Sequence, residues 1–230
     1  MATQWTLEKE LCDIAKARSA GEALRRLGIV DEHCREAVLE EVEGWTCAGD
    51  SFTYRFRVVS PEAAHEVVLK AIVAFSMTRS LTEITEEWVR RRRLLEREGI
   101  LTSRLYHAGR ALLVEQSVPL KLCDHLKGRP SERKRLIDQV IRFAAVLEKQ
   151  GFCPVSPFHG LCTDRHDVFV TDFGQDIGPP GVGSERNGRL LQEAVRWLER
   201  HGGRSIDRPR ARALYDFHCA DIHSEDTRWT

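Results

Sequence analysis

Along the start of the chain apolar positions recur every three or four residues. Leu7, Leu11, Ile14, Ala15, Ala17 and Ala20 form one stripe, and Cys34, Ala37, Val38, Leu39 and Val42 form a second behind Asp31, an N-cap residue. The spacing predicts two amphipathic helices, with Gly28 closing the first. From Trp45 the period changes to two. Phe52, Tyr54, Phe56 and Val58 alternate with Thr53, Arg55 and Arg57, which predicts a half-buried antiparallel strand after a strand and tight turn over Trp45 to Ser51. A third strand is expected from Glu66 to Val73. A helix then runs from about Leu81 to Glu98, opened by Ser80 with Glu83 three residues later, a capping box, and stopped by Gly99.

Two short strands follow, Ser103 to His107 and Ala111 to Glu115, and the polar, proline-bearing Gln116 to Leu120 reads as a crossover between two lobes. Beyond it the pattern is helical. Leu122 to Lys127 is a short piece, and Ser131 to Gln150 is long and amphipathic, with Leu136, Ile137, Val140, Ile141, Phe143, Ala144 and Leu147 as its buried stripe. An irregular loop, Phe152 to His159, leads through a turn at Asp164-Arg165-His166 to the strand Val168-Phe169-Val170. That strand runs into Asp172-Phe173-Gly174. A loop, Ile177 to Gly183, and a helix, Leu190 to Arg200, complete the reading, and the end from Gly202 is expected to be loosely ordered.

Composition narrows the picture. The 230 residues suit one large domain or two lobes, and 35 Lys+Arg against 35 Asp+Glu leave no basic field for nucleic acid. The arginine runs, Arg90 to Arg93 and Arg204 to Arg212, read as a solvated helix face or a mobile tail. Seven scattered cysteines, an odd number, argue for a reducing compartment, hence the cytoplasm. Neither a signal segment nor an apolar run of membrane-spanning length is seen, so peripheral contact is the only membrane association expected.

Three places carry candidate chemistry. Lys70 interrupts the apolar run Val67 to Val73; burying an ammonium there is costly unless an anion meets it, and the alternative is that it faces solvent. Glu87 on the following helix is the chosen partner, with Glu86 next to it. Asp172 ends a buried strand ahead of Gly174, an arrangement suited to clamping a metal-bound phosphate. Finally, Cys153, His159, Cys162 and His166 raise the question of zinc, although the paired C-x-x-C spacing of common zinc ribbons is missing.

Taken together, strand-turn-strand, strand with lysine, helix with glutamate, two strands, crossover, long helix, loop, strand and Asp-Phe-Gly resemble the protein-kinase-like superfamily, over roughly Trp45 to Trp197. The resemblance implies an α+β, two-lobed fold: a helical N-terminal extension (1–44), an N-lobe of antiparallel sheet plus one helix (45–117) and a short, mainly helical C-lobe (118–230). It also implies roles. Lys70 would neutralise phosphate oxygens of ATP, and Glu87 would hold it. Asp172 would bind Mg2+, the backbone from Glu115 through Gln116 to Ser117 would take the adenine edge, and Gly49 and Ser51 would lie over the phosphates. Phe158-His159-Gly160 is similar to the loop of bacterial lipopolysaccharide-core (heptose and Kdo) kinases, with His159 in place of a metal-binding asparagine. The implied activity is phosphoryl transfer to a sugar or lipid-linked sugar hydroxyl. One departure stands out: Phe152 to Thr163 contains no acid, and the base position falls on Pro154, Ser156 or Leu161 depending on register. No catalytic base is therefore named, and a pseudokinase that binds nucleotide or a protein partner without turnover is the alternative.

Overall fold

The computed structural model describes residues 21–30, 38–47, 51–60, 64–72, 79–127, 130–152, 154–174, 177 and 188–220. The stripe Leu7 to Ala20, the segment Asp31 to Ala37, and Gly49, Cys153 and Val73 lie outside the described residues. The chain divides into two compact units. One comprises Met1–Arg90 with Ser103–Ser117, the other Arg91–Thr102 with Val118–Thr230.

In the first unit, alternation builds a five-stranded antiparallel sheet in the order β1-β2-β3-β5-β4. Its strands are β1 (Val38–Cys47), β2 (Ser51–Val59), β3 (Ala64–Ile72), β4 (Leu105–Ala108) and β5 (Leu112–Gln116). Side chains alternate between faces. Tyr54, Phe56, Val58, Val67, Leu69, Leu112 and Val114 fill one face and pack with Leu24, Ile29 and Val30. Leu24 belongs to the short helix α1 (Gly21–Arg26). Gly28, at φ +63°, closes that helix with Gly28 N–H to Arg25 O at 2.9 Å and Ile29 N–H to Leu24 O at 3.0 Å. This turn swings Ile29 and Val30 onto the sheet.

The helix expected through Val42 is corrected here: Val38–Cys47 is a strand, antiparallel to β2. Cross-strand partners decide it. Glu40 and Glu43 meet Arg57 and Arg55 at 3.7 and 3.6 Å, Tyr54 donates to Glu41 Oε2 at 2.8 Å, and the Trp45 and Tyr54 rings lie 5.5 Å apart. After β3, Ser80 and Glu83 form the expected capping box, with Ser80 N–H to Glu83 Oε2 at 2.7 Å and Glu83 N–H to Ser80 Oγ at 3.2 Å. It opens helix α2 (Leu81–Arg97), within which the division between units falls.

The second unit is mainly helical: α3 (Leu122–His125), α4 (Pro130–Lys149), α5 (Arg189–Gly202) and α6 (Arg208–Ala220), with a small sheet β6-β7-β8 (Leu120–Lys121, Leu161–Thr163, Val168–Val170). Of the α4 stripe, Leu136, Val140, Ile141, Phe143, Ala144 and Leu147 are buried. The end expected to be loose is instead the helix α6. Asp207 caps it by accepting the Arg210 N–H at 3.0 Å, and buried Ala211 and Tyr215 anchor it. Arg208, Arg210 and Arg212 form ion pairs with Glu199, Asp138 and Asp216. The chain is thus a mixed α+β protein. Among the described residues, no helix is long and apolar enough to cross a membrane.

Candidate functional site

Lys70 lies opposite Leu113 in the β3–β5 ladder, and Glu115 lies opposite Val68, so the two charges share the face turned away from the apolar cluster. Lys70 does not extend into solvent. Its side chain is 12% exposed and that of Glu115 3%, with Nζ 3.1 Å from Oε2. Ser103 Oγ donates to the same carboxylate oxygen at 3.2 Å. Glu115 is a lysine partner that the sequence reading had assigned only to the hinge. The available signal was a lone acid ending the apolar run Leu112 to Val114, on a strand free to lie antiparallel to β3.

On α2 the helix phase separates the two glutamates. Glu86 is exposed, whereas Glu87 is buried and forms an ion pair with Arg90. Ser51 is buried at the start of β2. Gln116 ends β5 in an exposed position. Its N–H donates to Arg104 O at 2.8 Å and the Ser117 N–H donates to Glu66 O at 2.9 Å, so both hinge amides are engaged within the sheet.

In the second unit, β8 delivers Asp172. The Thr171 N–H and Oγ both donate to Gly160 O, at 3.1 and 2.9 Å, which draws the loop ending at Gly160 against the strand end. The approach is close enough that a Cβ on Gly160 would stand 2.5 Å from Asp172 Cβ. Asp172 Oδ1 accepts the Gly174 N–H at 3.0 Å. Phe173 is buried, with the Arg92 guanidinium 5.5 Å from its ring centroid. Arg91 donates to Phe173 O at 3.0 Å and to Gly174 O at 2.7 Å. The solvated face expected for Arg90 to Arg93 is corrected accordingly: Arg91 and Arg92 are interior groups, and only Arg90 and Arg93 are exposed.

His159 is exposed, on a turn closed by its N–H to Ser156 O at 3.1 Å. It lines a cleft of about 340 Å³ together with Phe158, Trp197, Arg196, Arg200 and His201. Pro154 and Leu161, two of the three positions where the resemblance would put a base, are buried apolar groups. The nearby carboxylates are already engaged. Burial works against charge on Asp164, but the Asp167 and His166 N–H groups outweigh it and hold that carboxyl below its ordinary range. Asp167 accepts from Arg135 and Gln139, each at 2.6 Å.

Among the described residues, no group of three or more His, Cys, Asp or Glu side chains stands ready to hold a metal. Cys153, one of the four Cys and His residues of the sequence cluster, lies outside the described residues. Mg2+ commonly takes one or two carboxylates and completes its shell with water and substrate phosphates. Asp172 would be its protein ligand. No family model matches the chain, and no curated protein matches it.

Proposed function

We propose that this chain is a kinase-like phosphotransferase that binds ATP with Mg2+ and phosphorylates a hydroxyl of a sugar or lipid-linked sugar. The observation carrying this reading is Lys70, a cation kept inside an apolar strand by Glu115 and Ser103. A buried ion pair is rarely retained for stability, because well-packed apolar residues of the same volume often do as well or better. A use in meeting anionic oxygens accounts for it. The strand order β1-β2-β3-β5-β4, with a helix between β3 and β4, and the Asp-Phe-Gly turn directly after β8 further support a kinase-like fold.

In this reading Lys70 neutralises the α- and β-phosphate oxygens. Glu115, itself held by Ser103, orients its ammonium, and Glu87 supplies a further buried carboxylate on the adjoining helix. Asp172 would hold magnesium, which would supply positive charge to offset that of the phosphates. His159 supports that ion or the acceptor from the loop. The scattered cysteines favour a reducing compartment, the cytoplasm.

The second reading, a pseudokinase, is favoured by one observation: Pro154 and Leu161 occupy positions where an acid belongs, while Asp164 is committed to its own turn and Asp167 to Arg135 and Gln139. Transfer without a base must rest on positioning and charge neutralisation alone. A thermal-shift titration with Mg·ATP tests binding. Stabilisation that disappears in Lys70→Ala and in Asp172→Ala is expected, and no shift with any nucleotide removes both readings. ATP consumption that depends on Asp172 separates enzyme from pseudokinase.

A further inference from the structure

We infer that Arg91 is a positioning residue for Asp172, acting through a single peptide plane. Phe173 C=O and Gly174 N–H belong to the same planar amide and point in opposite directions along it. The carbonyl accepts from Arg91 at 3.0 Å, while the N–H donates to Asp172 Oδ1 at 3.0 Å. Holding one end of that plane therefore fixes the other end, and with it the carboxylate. The second Arg91 bond, from the same Nη1 to Gly174 O at 2.7 Å, secures the next peptide as well, so one charged nitrogen holds two successive carbonyls.

Arg92 completes the clamp from the other side. Its guanidinium stacks on the Phe173 ring, and it donates to Glu96 Oε1 at 2.9 Å and Thr102 Oγ1 at 3.0 Å. Thr102 in turn bridges Val170 of β8, two residues before Asp172. Arg91 and Arg92 are only 7% and 4% exposed, so these are dry, charge-assisted contacts. Two adjacent buried guanidiniums are a costly way to fill space. Both converge on the three residues that present the proposed magnesium ligand.

This inference deepens the phosphotransferase reading and rests on it for the identity of the ion. Its test uses Arg91→Met, which removes the donor, and Arg91→Lys, which keeps a charged donor nitrogen on a shorter side chain without the planar guanidinium. Exposed Arg93→Ala is the control. At saturating ATP, the Mg2+ concentration giving half-maximal thermal stabilisation should rise about 10- to 100-fold in Arg91→Met, as outer groups behind a metal ligand typically require. Arg91→Lys should fall between it and wild type, and ATP binding in excess chelator should be unchanged in all variants. A space-filling role would lower the melting temperature of the ligand-free protein without moving the Mg2+ midpoint, and that outcome overturns the inference.

Amide hydrogen exchange at Gly174 provides an independent arm that needs no ligand. Exchange should be faster in Arg91→Met, and in Arg91→Lys should the methionine variant fail to fold. Unchanged exchange overturns the clamp. If wild type ignores Mg·ATP while Gly174 exchange responds to Arg91, the kinase-like reading fails and the positioning role stands.

Discussion

Removing one partner of the Lys70–Glu115 pair should be far more damaging than removing both. The pair is 3.1 Å apart, with side chains 12% and 3% exposed, and Ser103 is the hydroxyl donating to the same carboxylate oxygen. In Lys70→Met that carboxylate loses its cation at a site where water does not replace it. Breaking a buried pair in this way costs about 3–5 kcal/mol. For a chain of this size each kcal/mol moves the melting temperature by roughly 2–4 °C, so a drop of about 6–20 °C is expected. Glu115→Leu should be similarly harmful, because it takes away the buried carboxylate 3.1 Å from the ammonium. The double variant Lys70→Met/Glu115→Leu leaves no charge to desolvate and should recover to within about 1–2 kcal/mol of wild type, or exceed it. Urea denaturation of all four proteins, followed by circular dichroism, closes the cycle. A coupling below about 0.5 kcal/mol would mean that the two groups do not depend on each other, and the reasoning about a buried pair would be wrong.

Gly160→Ala places a methyl 2.5 Å from Asp172 Cβ and 3.3 Å from its amide nitrogen, so the strand end must move. The variant should lose the Mg2+-dependent thermal shift and about 1–3 kcal/mol of stability; a wild-type response would show that Asp172 tolerates displacement. Stability should fall as the solution is acidified past the ordinary histidine value of 6.5, because burial holds the His65 pKa down, helped by Arg104 and opposed by a hydrogen bond with the Ile29 backbone. The unfolded chain then binds the proton before the folded one does, so folding loses ground between the two pKa values and is unaffected above them. Urea midpoints at about pH 7.5 and about pH 5 should converge in His65→Asn; an unchanged gap would assign the effect to another group.

Local signals carried much of the fold. The alternation from Phe52 to Val58, the Ser80–Glu83 capping box, the α4 stripe and Gly28 at a positive φ all express rules that operate within one turn or one strand. The stretch Val38 to Val42 misled because its apolar residues also fit a helical stripe. Only the arginines and tyrosine of β2, supplied from elsewhere in the chain, make it a strand. The helix after Gly202 misled for a related reason: α6 carries two buried anchors among exposed arginines, and its hold on the protein comes from Ala211 and from Tyr215, whose hydroxyl donates to buried Glu148.

For the site, an isolated lysine in an aliphatic run and an acid at a strand end were visible as anomalies. Their surroundings were not. Glu115 meets Lys70 only because β5 lies antiparallel to β3, and four consecutive arginines give no hint that the middle two turn inward. Long-range pairing made those choices, and no window of sequence contains it.

The most direct test of the phosphate-handling claim is chemical labelling with an acyl-phosphate derivative of ATP, whose electrophile acylates a lysine beside the bound triphosphate. Peptide mass spectrometry should find Lys70 as the principal adduct, suppressed by excess Mg·ATP and greatly reduced in Asp172→Ala. Labelling spread evenly over surface lysines, or indifferent to competing ATP, would contradict the account.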